Sequence, residues 1–75
     1  IITKSNLNMA KIQLNGKSYE VNPNTNLTQL LRKLNISSSR VAIEINGVIA
    51  EKSKYHARNL NAGDKVEIVH FIGGG

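Results

Sequence analysis

Few residues in this 75-residue chain can do chemistry, and their types narrow the choice quickly. There is no cysteine, so thiol catalysis, disulfides and cysteine-based zinc sites are all excluded. The two histidines, His56 and His70, have no second ligand at a spacing such as HExxH, and no metal site is expected. Tyr55-His56 reads as a surface turn, and His70 as a strand residue near the end of the chain. The hydroxyls of Ser37, Ser38 and Ser39 lack a G-x-S-x-G elbow and an Asp-His pair, so they read as loop. What remains is the run Gly73-Gly74-Gly75 and the carboxylate at its end.

A glycine tail suits chemistry at a terminal carboxylate. Without a Cβ, glycine adopts backbone conformations closed to other residues and threads a narrow channel. An unsubstituted Cα also leaves the carbonyl carbon of Gly75 open to attack. A carboxylate is a poor electrophile, so an ATP-using partner must convert it to an acyl-adenylate. Sulfur can then displace AMP and leave a thiocarboxylate. The chain has no GxxxxGK[ST] and no glycine-rich turn between strand and helix, so it binds no cofactor itself and activation is expected from another protein. Gly73, Gly74 and Gly75 are expected to be flexible, because ordering each costs about 1–2 kcal/mol.

The elements that must carry this tail are legible from periodicity. Ile12 and Leu14, then Tyr19 and Val21, alternate with polar residues on either side of Asn15-Gly16, a type I′ hairpin signal. Leu27, Leu30, Leu31 and Leu34 form one helical stripe, with Asn26 and Gln29 as a capping box and Asn35 as a left-handed stop. Val41, Ile43 and Ile45 form a third strand, and Asn46-Gly47 turns it into a short strand at Val48 to Ala50. Glu51 to Leu60 is polar and irregular. Asn61-Ala62-Gly63-Asp64 is a turn, and Lys65 to Phe71 is the last strand.

The order β-β-α-β-β-β predicts an α+β fold of the β-grasp, or ubiquitin-like, type. A mixed sheet of about five strands carries one main helix on one face, and the last strand inserts beside the first. Residues 9–72 make this domain, residues 73–75 the tail, and residues 1–8 an N-terminal extension, native or added. In the last strand Val66 and Ile68 share the parity of the helix-covered face. Val69 and Phe71 have the other parity and lie next to Ile72, which makes these three a candidate partner-binding patch or an ordinary β-rich face.

The net charge of +5 is spread over the chain, with one denser stretch at Lys52, Lys54 and Arg58. No aromatic residues interleave with it for base stacking, so it reads as solvated surface rather than a nucleic-acid site. No stretch approaches the roughly 18 apolar residues of a membrane span.

From Met9 to Gly75 the chain resembles the ThiS family, the sulfur carriers of thiamine biosynthesis. The resemblance lies in Ile12 to Lys17, the Leu27 to Leu34 helix, Val41 to Gly47 and, above all, the segment from Gly63 through His70-Phe71-Ile72-Gly73-Gly74-Gly75. It implies that Gly75 is adenylated by a ThiF-like enzyme and becomes a thiocarboxylate whose sulfur enters the thiazole ring at a ThiG-like synthase. It implies further a sulfur donor such as a cysteine desulfurase, and a carrier, not an enzyme, that is monomeric when free. The expected location is the cytoplasm, or an organellar stroma in a plastid-bearing organism. A ubiquitin-like modifier or the small subunit of molybdopterin synthase shares the fold and the diglycine, and a basic nucleic-acid-binding β-grasp module shares the fold.

Overall fold

The computed structural model describes residues 9–72. Its strands are β1 (Ala10–Leu14), β2 (Lys17–Val21), β3 (Val41–Ile45), β4 (Val48–Ile49) and β5 (Lys65–His70). The helix is α1 (Leu27–Lys33), and two 3₁₀ segments cover Ser38–Arg40 and Lys52–Ala57. They form one five-stranded sheet in the order β2-β1-β5-β3-β4, with β1 and β5 parallel and the other pairs antiparallel. This is the expected β-grasp, with the last strand inserted beside the first.

The turns are built as their sequences require. Asn15-Gly16 and Asn46-Gly47 both place two consecutive residues at positive φ (49° and 83°, 54° and 84°), which matches the twist of the flanking strands. Asn35, at φ 59°, ends α1 in the left-handed region. At the other end of α1, Asn26 Oδ1 accepts from the Gln29 N–H at 2.8 Å, and the Asn26 N–H donates to Gln29 Oε1 at 2.9 Å. Two orphan donors of the first turn are thereby satisfied. Arg32 and Lys33 lie in the last turn, where the helix dipole favours cations.

A seven-residue helix is marginal by itself, so packing must hold it. Leu27, Leu30 and Leu31 are buried against Ile12, Val21, Val41, Ile43, Ile45, Val66 and Ile68 from four strands. Each large side chain sequestered in this way contributes about 1.5–3 kcal/mol.

The segment after β4 departs from the sequence reading. Tyr55 does not lie in a surface turn: it is 3% exposed and belongs to the core with Leu60. Single buried residues in a 3₁₀ turn leave no periodic signature, which is why a polar neighbourhood concealed them. The segment is stitched to the entry of α1 by the Leu27 N–H to the Arg58 carbonyl (3.1 Å), the Leu60 N–H to the Thr25 carbonyl (2.8 Å) and the Asn26 amide to the His56 carbonyl (3.0 Å). Burial pushes the Tyr55 hydroxyl pKa up; the Ile43 backbone eases that shift without reaching hydrogen-bonding geometry, and the hydroxyl has no partner among the described residues.

Candidate functional site

β5 is the last strand before the glycine residues in sequence, so the forces that hold β5 fix where the described domain ends. β3 pairs with it over five residues, from Ile45↔Val66 to Val41↔His70. The Phe71 N–H then donates to the Arg40 carbonyl at 2.9 Å, extending the ladder one residue past the strand. On its other edge β1 pairs only at Lys65 and Val66. There Asn15 takes over, with its side chain acting as a strand residue. Its Oδ1 accepts from the Ile68 N–H at 2.7 Å, and its Nδ2 donates to the Ile68 carbonyl at 3.1 Å. The turn asparagine thus prolongs the β1 side of the ladder toward the tail.

The start of β5 is pinned by Asp64, one of the few buried polar groups. Its Oδ2 accepts from the Asn61 N–H at 2.9 Å and from Arg58 at 3.4 Å, and its Oδ1 from the Asn46 amide at 3.0 Å. Asn46 in turn accepts from the Lys65 N–H and donates its own N–H to the Lys65 carbonyl. Burial by itself would raise the Asp64 pKa. The Asn61 and Asn46 hydrogen bonds and the Arg58 charge outweigh that and hold it below the ordinary aspartate value. The turn at Asn61 to Asp64 is legible in the sequence, whereas the burial of this carboxylate depends on Arg58 and Asn46 and has no local signature.

The three patch residues are placed as their parity predicts. Val66 and Ile68 are buried, whereas Val69 is 54%, Phe71 58% and Ile72 98% exposed. Val69 lies opposite Ala42. Phe71 has the Lys52 ammonium 5.3 Å from its ring centroid, close enough for a cation–π contact. The structure adds a fourth apolar residue. Ile49 pairs with Glu44 and so shares the open face with Val69. The glycines Gly73, Gly74 and Gly75 lie outside the described residues.

Elsewhere little points to chemistry. His56 and His70 are exposed. No group of three or more potential metal ligands occurs among the described residues. A concavity of about 450 Å³ at the C-terminal end of α1 is lined by Thr28, Leu31, Arg32, Asn35, Ile36, Ser37 and Ser38, with no carboxylate, histidine or cysteine among them. Among the described residues no helix is long and apolar enough to cross a membrane.

The model of the ThiS family matches residues 12–75. The sulfur carrier protein ThiS of Bacillus subtilis is 40% identical over 65 residues, covering 85% of this chain and 98% of that protein. The crystal structure of the thiamine biosynthesis protein ThiS from Geobacter metallireducens superposes with a TM-score of 0.75 at 34% identity, covering 87% of this chain and 99% of that one. The thiazole synthase of Magnetococcus marinus is 40% identical over 65 residues, 87% of this chain but only 20% of that protein.

Proposed function

The chain belongs to the ThiS family and is a small sulfur carrier of thiamine biosynthesis, and we propose that its working group is the carboxylate of Gly75. A ThiF-like partner supplies ATP, which the chain does not bind itself. The Gly75 carboxylate attacks the α-phosphorus, pyrophosphate leaves, and an acyl-adenylate results. The terminal sulfur of a cysteine persulfide on a donor such as a cysteine desulfurase then attacks the carbonyl carbon. The C–S bond forms as the C–O bond to AMP breaks. The S–S bond that now joins the carrier to the donor cysteine is then cleaved by a thiol reductant, which forms a disulfide with that cysteine. The thiocarboxylate so released is consumed by a ThiG-like thiazole synthase.

The observation that supports this reading is the arrangement of β5. A strand clamped on both edges, by β3 and by Asn15, is followed in sequence by only Phe71 and Ile72 before the glycines begin. The domain is thereby a rigid handle and the tail is its reach. Val69, Phe71 and Ile72, exposed just before the tail, are the patch by which the adenylating enzyme grips the handle. A thiazole synthase containing a segment similar to 87% of this chain supports the synthase as the acceptor. The free carrier is monomeric and works in the cytoplasm, or in the organellar stroma of a plastid-bearing organism.

The test is the intact mass of the chain after incubation with ATP, a sulfur donor and the adenylating enzyme. The wild type gains the mass of one oxygen-to-sulfur exchange. A chain lacking Gly75 does not, because its terminal carboxylate falls one residue, about 3.5 Å, short. Normal thiocarboxylate formation on the shortened chain refutes the assignment.

A further inference from the structure

The open face of the sheet carries a feature that the sheet itself does not need. Glu44 of β3 and Glu67 of β5 are directly opposite each other. Both have the parity opposite to the buried Ile43, Ile45, Val66 and Ile68, so both side chains stand on the face that α1 leaves uncovered. Neither takes part in a salt bridge among the described residues. Like charges at directly opposed positions destabilise a sheet. The chain has ten basic residues and only five acidic ones, yet two of those five are set against each other here.

The surroundings of this pair decide what it fits. Pairing along the sheet puts Ile49, Glu44 and Glu67 in one row, with Ala42 and Val69 in the next, and Phe71 follows Val69 by two residues. Ile49, Val69 and Phe71 are each more than half exposed. Lys65 shares the open face two residues before Glu67 but forms no salt bridge with either carboxylate. An acidic pair bordered on its other sides by Ile49 and Val69 therefore complements a basic side chain that stands among apolar ones. Such a cation would bridge both carboxylates and relieve their repulsion, and no residue among the described ones forms a salt bridge with either.

We infer that this face docks on the thiazole synthase, with an arginine or lysine of the synthase seated between Glu44 and Glu67 and apolar synthase side chains against Ile49 and Val69. The inference rests on the carrier reading given above, and the synthase is chosen over other partners for a stated reason. The Magnetococcus marinus synthase includes a segment similar to 87% of this chain, so a domain of this kind and a synthase share one polypeptide. The contact deepens that reading by giving the acceptor a recognition element separate from the tail.

The experiment is calorimetric titration of the thiazole synthase from the same organism with the full wild-type chain and with the Glu44→Gln/Glu67→Gln variant, each at low and high salt. The variant is expected to bind at least about tenfold more weakly at low salt, with a flatter salt dependence. Its melting temperature should not fall, since an unfavourable opposition has been removed. Equal affinity and equal salt dependence of the two proteins overturn the inference. So does a loss confined to the adenylating enzyme, or a wild type that does not bind the synthase. Intact mass reads the carrier chemistry separately. A wild type that gains sulfur while the variant binds the synthase unchanged refutes this face alone, whereas a wild type that gains none refutes the tail assignment.

Discussion

Replacing Asp64 tests whether the network at the start of β5 is what holds the strand in place. The side chain of Asp64 is 10% exposed, and its carboxylate accepts from the Asn61 N–H, the Asn46 amide and Arg58. Hydrogen bonds to a charged group contribute about 1.5–3 kcal/mol each. The Arg58 contact is long and its side chain is 35% exposed, so solvent screens it and it adds little. Two well-formed bonds remain. After Asp64→Ala, water can reach part of the vacated site, which offsets some of the loss, and a cost of about 2–4 kcal/mol is expected. That is a large share of the roughly 4–11 kcal/mol available to a domain of this size.

The same network predicts a pH dependence with a definite sign. The folded state holds the Asp64 pKa below its ordinary value of 3.8. Folding therefore gains from the ionised carboxylate at pH above that value. The gain disappears as pH falls from the ordinary value toward the lower folded one. Urea denaturation monitored by circular dichroism, repeated from neutral pH down to acid, measures both effects. The wild type should lose stability through this window more steeply than Asp64→Asn, which has no carboxylate to protonate. Identical slopes for the two proteins, or an Asp64→Ala variant as stable as wild type at neutral pH, would refute the argument.

Leu31 is 3% exposed beneath the sheet, and Leu31→Ala should cost about 2–5 kcal/mol in urea denaturation; an unchanged melting temperature would contradict the helix-on-sheet packing. Phe71→Ala removes a ring that is 58% exposed, so its melting temperature should stay within a few degrees of wild type. Its affinity for the adenylating enzyme should fall about thirtyfold, the equivalent of about 2 kcal/mol for an aromatic anchor. Gly74→Ala should slow thiocarboxylate formation without abolishing it, by crowding a channel suited to bare backbone, and single-turnover mass measurements would detect the difference from wild type.

Local rules determined most of the frame. The two Asn-Gly turns, the capping box at Asn26 and Gln29, the stop at Asn35 and the alternation through β3 and β5 are short-range patterns, and each formed where its residues placed it. The parity of Val69 and Phe71 against Val66 and Ile68 is likewise local, so their exposure was readable before any fold was known. The glycine tail was the plainest chemical signal, because it needs no neighbours to be recognised.

Tertiary structure decided what depends on partners distant in sequence. Tyr55 is buried because the 3₁₀ segment folds over the entry of α1, an arrangement with no period to betray it. Asn15 reaches Ile68, 53 residues away, and no turn rule foretells that its amide will stand in for a missing strand residue. Glu44 and Glu67 each look like an ordinary outward residue on its own strand. Only the register of β3 against β5 brings them face to face, because strand pairing couples positions far apart in the chain and the alternation within one strand carries no information about which residue will stand opposite.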